Sequence, residues 1–188
     1  MAEIVARTDR LILRREREGD FEAWVEHLNT PEVTAFIGGP ATEEAIGDKF
    51  KRMPLEWAEQ GFSFMIVALP DTGELIGTCG IGRIDAESAP PHLRGAVQIG
   101  WTLRADHWGQ GYAIEAARAV LDFAFETVGL PVVYGQTSLS NRPSWGLMER
   151  LGMRRCPDLD YVDPAYPPED NPTVIYAQDR EAWLASPR

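Results

Sequence analysis

Two periods of hydrophobic spacing alternate along this chain, and the switches between them outline its elements. Residues 11–14 read as a short strand. Asp20 is placed to cap a helix running through Phe21, Trp24, Val25 and Leu28 and ending before Pro31. A second helix is predicted over roughly 43–59, where Ile46, Phe50, Met53 and Trp57 recur at helical spacing and Pro54 predicts a kink or break. The apolar runs 62–69 and 75–83 flank the turn cluster Pro70-Asp71-Thr72-Gly73-Glu74 and read as a hairpin. Residues 86–95, with Pro90-Pro91, form a loop into a half-buried strand at 96–103. Helical spacing returns with Ala113, Ala117, Val120, Leu121 and Ala124, followed by a β-branched strand at 132–137 and a short helix at 144–151. A long Pro- and Asp-rich loop at 161–172 precedes a last strand at 173–177. The sum is an α+β domain spanning 1–188: a mixed, largely antiparallel sheet with helices on both faces.

Between the 96–103 strand and the helix that follows lies Trp108-Gly109-Gln110-Gly111-Tyr112-Ala113. A glycine-rich turn opening into a helix presents unpaired N–H groups at the positive end of the helix dipole, a ready site for a phosphate. Gly109 and Gly111 lack the side chains that would hold a pyrophosphate off the backbone. Taken alone, two such glycines describe a tight turn better than a phosphate site. A P-loop is excluded because no Gly-Lys-Ser/Thr follows, and the dinucleotide fingerprint fails because its third small position falls on Ile114.

The flanking segments add to this. Arg10-Leu11-Ile12-Leu13-Arg14, Gly19-Asp20-Phe21 and Asn29-Thr30-Pro31-Glu32-Val33-Thr34 precede the turn, and Glu115-Ala116 continues it. Asn141, Ser144 and Leu147-Met148-Glu149-Arg150-Leu151-Gly152-Met153 close the series. In this order the motifs resemble the GNAT superfamily of acyl-CoA-dependent N-acetyltransferases, specifically its RimJ/RimL-like branch, from about residue 7 to 182. Trp108 stands where the wider family has Gln or Arg, and marks the branch. Gln98 stands where the branch often has Glu, and Met148 replaces a tyrosine that some relatives use as an acid.

Composition narrows the partners. With 44% hydrophobic residues the chain can bury one sizeable core without staples. No apolar run reaches transmembrane length, and Met1-Ala2-Glu3 lacks the basic start of a secretory leader, so a cytoplasmic protein is expected. The net charge of −11 argues against nucleic acid and anionic membranes as partners and accords with a cationic substrate. Cys79 and Cys156, like His27, His92 and His107, show no metal-ligand spacing, so no metal is expected and the thiols should be buried and free.

The resemblance implies a GNAT fold in which the strands at 96–103 and 132–137 splay apart around acetyl-CoA, the co-substrate. It implies that Gly109, Gln110, Gly111, Tyr112 and Ala113 hold the pyrophosphate and that Leu103 borders the pantetheine arm. Asn141 would bind the arm or cap the following turn, and Ser144 would lie near the sulfur or simply open a helix. The acceptor would be a protein N-terminal α-amine or a small amine, attacking the thioester directly. For the amine's proton, Glu87, His92 and Asp85 in the loop before the strand are candidates, with a carbonyl-held water as an alternative; His107, next to the turn, reads as structural and Tyr134 as core or pocket wall. An acyl-CoA-binding sensor without turnover competes with the enzyme reading because of Gln98 and Met148. A homodimer is compatible with either.

Overall fold

In the computed structural model, residues 2–186 are described; Met1, Pro187 and Arg188, at the ends of the expected domain, lie outside them. The strands are β1 (Ile4–Arg7), β2 (Ile12–Arg14), β3 (Phe64–Ala68), β4 (Leu75–Arg83), β5 (Val97–Leu103), β6 (Val132–Ser138), β7 (Arg154–Arg155) and β8 (Thr173–Asp179). The helices are α1 (Asp20–His27), α2 (Glu43–Gln60), α3 (Tyr112–Asp122, continued by a π-helical turn), α4 (Arg142–Arg150) and α5 (Arg180–Ala185). The strands form one sheet in the order β1-β2-β3-β4-β5-β6-β8-β7. All neighbours are antiparallel except β5 and β6.

Strand alternation sorts the apolar residues to two faces. Met65 and Val67 of β3 point to a core shared with Ala117, Val120 and Leu121 of α3, whereas Ile66 joins Trp24, Leu28 and Ile46 of α1 and α2. The expected mixed sheet with helices on both faces is the observed one. Among the described residues no helix is long and apolar enough to cross a membrane.

Three local expectations change. Asp20 does not cap α1: the cap is Gly19, at φ +87°, and Asp20 is the first helical residue. Its carboxylate is buried against Arg14, with both guanidinium contacts at 2.7 Å, and also accepts from the Arg17 N–H. Removing one partner of such a buried pair commonly costs about 3–5 kcal/mol, so this contact fixes α1 on β2. Pro54 does not break α2, because Ile46 and Met53 are buried on the sheet and hold the helix through it. The closing helix begins at Arg142, two residues early, because Asn141 caps it by accepting from the Ser144 N–H. The edge strands β1 and β7 and the terminal α5 carry too few patterned residues to be read from the sequence.

Candidate active site

The phase of the β4–β5 ladder determines what β5 offers to its other side. Ile84 N–H donates to Ala96 O, and Arg104 N–H to Ile76 O, both at 2.9 Å. Even-numbered residues of β5 therefore direct their backbone groups to β4, and odd-numbered residues direct theirs to β6. But β6 accompanies β5 only at Gln98–Tyr134 and Ile99–Gly135. Beyond Ile99 the strands part, and the backbone groups of Trp101 and Leu103 face the opening. The Leu103 carbonyl is taken by the Trp108 indole N–H at 2.9 Å. The Trp101 N–H and C=O and the Leu103 N–H are left without a strand partner, an edge that an extended amide-bearing ligand can join.

The opening leads into a cavity of about 490 Å³. It is walled by β5 (Trp101, Thr102, Leu103), the turn into α3 (His107 to Ile114, Gln110 excepted), α4 (Asn141, Pro143, Ser144, Leu147, Arg150) and the segment after α1 (Glu32, Val33, Phe36, Ile37). Gly109 and Gly111 sit at φ +73° and +82°, the left-handed region in which a side chain is strained. The first bond of α3 runs from Glu115 N–H to Gly111 O at 3.2 Å, so the N–H groups of 112–114 are not used by the helix.

Side chains brace this turn from two directions. Arg10 donates to the Gln110 carbonyl at 3.0 Å, lies 4.7 Å from the centre of the Tyr112 ring, and is held by Glu115 at 2.7 Å. Thr8 reaches Glu115 as well, at 2.6 Å, and these bonds outweigh burial to keep that carboxyl below its ordinary pKa. On the other side Arg104 binds Glu74 at 2.6 Å and Asp106 at 2.7 Å. Asp106 also contacts His107 at 2.9 Å, and Arg104 followed by His107 drives its carboxyl far below the usual range.

Of the residues singled out in the sequence, the cavity brings together Leu103, Gly109, Gly111, Tyr112, Ala113, Asn141 and Ser144. The side chain of Gln110 turns away to the Asp106 carbonyl. Glu87 and His92 lie exposed in the 84–96 loop, outside the cavity lining, because Ala89 and Leu93 are buried and fold that loop back on the sheet. Met148 is buried, its sulfur so close to Gly135 that a Cβ there would lie 2.9 Å away. Leu147 and Ser144 face the opening instead. The acidic loop is largely self-occupied: Asp160 pairs with Arg155, Asp163 is buried and accepts from Ala165 N–H, and Asp170 accepts from Ser140. Sequence reasoning did not nominate Glu32, although it is the carboxylate in the cavity wall. Its place in Asn29-Thr30-Pro31-Glu32 was the one available clue.

The donor set suits acetyl-CoA: an unpartnered strand edge for the amides of the arm, and free helix N–H groups with Arg10 nearby for the pyrophosphate. Among the described residues no three His, Cys, Asp or Glu side chains gather as a metal group.

Comparison with known proteins gives the same direction. Residues 10–154 match the family described as acetyltransferase (GNAT) domain. The chain is 30% identical to an uncharacterized N-acetyltransferase, p20, of Bacillus licheniformis over 79% of its own length and 81% of that protein's. It is 31% identical to an FsC-acetyl coenzyme A-N(2)-transacetylase of Aspergillus fumigatus, over 82% of this chain and 67% of that one. Among solved structures, an acetyltransferase from Agrobacterium tumefaciens superposes with a TM-score of 0.74 at 32% identity, covering 92% of both chains.

Proposed function

This chain belongs to the GNAT acetyltransferase family and is an N-acetyltransferase, and from that premise we propose that it moves the acetyl group of acetyl-CoA directly onto a primary amine. The observation that carries the reading is the parting of β5 and β6 after Ile99, which opens onto the braced turn ahead of α3. We also place it in the RimJ/RimL-like branch, a reading supported by Trp108, whose indole closes the end of β5.

The residues divide the work as follows. The backbone of β5 and the turn at 109–113 hold the thioester in the opening. The amine approaches from the side of α1 and α2, where Glu32 stands in the wall. Glu32 accepts the ammonium proton through solvent, and the neutral amine then attacks the thioester carbonyl, forming the C–N bond as the C–S bond breaks, while the surplus proton of the attacking nitrogen passes through solvent to the departing sulfur. Acetyl-CoA supplies the activated acyl group when bound. The hydroxyl of Ser144, which has no hydrogen-bond partner among the described residues, donates to the developing thiolate, a task Met148 cannot perform. Free-thiol release from acetyl-CoA across a panel of amines tests the activity. Release above the solvent rate with at least one amine is expected, and binding without release from any amine would favour the sensor reading.

A further inference from the structure

Only two of the eighteen basic residues are lysines, Lys49 and Lys51, two positions apart on α2. Lys51 is exposed and paired with Asp48 at 2.8 Å. Lys49 is half-buried and points under the sheet, its ammonium 4.4 Å from the centre of the Trp24 ring and 4.9 Å from that of Phe64. Phe64 lies across β5 at Gly100, where a Cβ would sit 3.0 Å from its ring tip. Lys49 is thus placed beside the strand residue just before the opening.

Among the described residues the ammonium donates to no carboxylate or carbonyl; Glu56, whose carboxylate accepts from Ser63, and Arg52 act on it only through space. Aromatic faces stabilise the charge but accept none of its three N–H bonds in the way an oxygen does. Lys49 lines a side cavity of about 170 Å³, which shares Ile37 and Thr102 with the main one. No acidic side chain lines it. The Thr102 hydroxyl is likewise unspent, whereas the Asn29 amide is committed to Ala41 on both of its atoms at 2.8 Å. A charge even partly withdrawn from water is favoured by an oxygen partner. Two idle donors lining a cavity that shares Ile37 and Thr102 with the acetyl-transfer opening therefore suit an anion that arrives with the substrate.

We propose that Lys49 and Thr102 form a carboxylate-binding subsite, so that the acceptor is a small amino-acid-like molecule bearing its amine and a carboxylate a few bonds apart. The carboxylate lies in the side cavity against Lys49, and this orients the amine toward the opening and Glu32. This rests on the acetyl-transfer reading for its meaning, but binding at the subsite is measurable without turnover.

Protein labelled with ¹³C at the lysine ε-carbon carries two lysine signals to follow. Propionate should move the Lys49 signal and raise its midpoint, while Lys51 stays put and neutral propanamide moves neither. No Lys49 response to propionate, or an equal one at Lys51, overturns the subsite. For catalysis, kcat/KM is compared for matched pairs: alanine with ethylamine, and phenylalanine with phenethylamine. Lys49→Met should lower the ratio of carboxylated to decarboxylated acceptor by about ten-fold or more, the effect of losing one charged hydrogen bond. A ratio unchanged from the wild type overturns the acceptor class even if propionate binds. Absence of thiol release with every amine would instead sink the acetyl-transfer reading and leave the propionate titration to decide the subsite.

Discussion

Replacing Gly111 with Ala places a Cβ where the structure needs none, and its two consequences can be separated. At φ +82° an L-residue is strained by about 1–2 kcal/mol. The new Cβ would also stand 3.3 Å from Arg10 Nη2, an atom kept in place by Glu115. If the turn keeps its shape, the strain is present with and without ligand and appears as lost stability, an apo-protein melting point lower by roughly 2–8 °C for a chain of this size. If the turn relaxes, binding must restore it, and the same energy appears as an acetyl-CoA Kd about 5–30-fold weaker. The two losses together should come to about 1–2 kcal/mol, with some excess from Arg10 that a second substitution, Arg10→Ala, removes.

Gly129 supplies the control. It too is left-handed, at φ +77°, with open space around its Cβ position, but it lies on the turn between α3 and β6, outside the cavity lining. Gly129→Ala should lower the melting point and leave acetyl-CoA affinity alone. Calorimetric titration and apo-protein melts on the variants decide the matter. A Gly111→Ala protein that melts and binds like the wild type would refute the reasoning, as would a Gly129→Ala protein with weakened binding.

Ser144→Ala should lower kcat about ten-fold or more, at the weak end of the usual loss for one donor to developing charge because sulfur is a poor acceptor, while acetyl-CoA affinity is nearly unchanged; equal kcat under chemistry-limited conditions returns Ser144 to helix opening alone. No acetyl-enzyme should form on cysteine: Cys79 is fully buried and burial pushes its thiol far above the ordinary range, so the Cys79→Ala, Cys156→Ala variant should keep most of its activity. A stoichiometric acetyl-thioester found by mass spectrometry would contradict this. Lys49 gives a pH prediction, because burial first, and Arg52 next, push its ammonium from 10.5 down to about 8 against the pull of Glu56. Between about pH 8 and 10.5 the unfolded chain binds more protons at this site, so wild-type stability climbs through that window relative to Lys49→Met. Urea unfolding at pH 7 and pH 10 should show the variant's advantage largest at the lower pH, and a constant difference would contradict the burial argument.

What could be read from the sequence was what is local. The turn at 109–113 announces itself because left-handed glycines and a helix start are properties of a few adjacent residues. The hairpin of β3 and β4 follows from two apolar runs and a Pro-Asp-Thr-Gly cluster between them. The parting of β5 from β6 is a matter of register between strands separated by a whole helix, and no residue in either strand encodes it alone; only the family resemblance pointed to it. Tertiary contacts also decided the misplaced candidates. Glu87 and His92 look adjacent to β5 along the chain, but the bond from Ile84 N–H to Ala96 O pinches their loop off at its base. The acidic residues at 160–170 look like an open charged rim, yet Arg155, Ser140 and the Ala165 N–H use three of them internally. Lys49 reads as one more charge on a solvated helix face until Gly82 and Gly100 make room for Phe64 beneath it.

The proposed subsite bears on how an acidic protein would select its acceptor. A net charge of −11 acts on the encounter with any cation, but salt screens it within about 8–10 Å, so it cannot decide what is held once the cavity is entered. At the cavities the charges are of both signs: Glu32 and Arg150, both exposed, in the wall of the main cavity and half-buried Lys49 in the side cavity. An acceptor with an ammonium alone meets Glu32 and leaves Lys49 without an anion. One bearing a carboxylate meets both, and its advantage is greatest when the bound acceptor itself shuts water away from Lys49. Discrimination of this kind comes from rejecting the wrong acceptor as much as from holding the right one. The acidic surface and a carboxylate-bearing acceptor are therefore compatible, the first acting at long range on encounter and the second on geometry at the opening between β5 and β6.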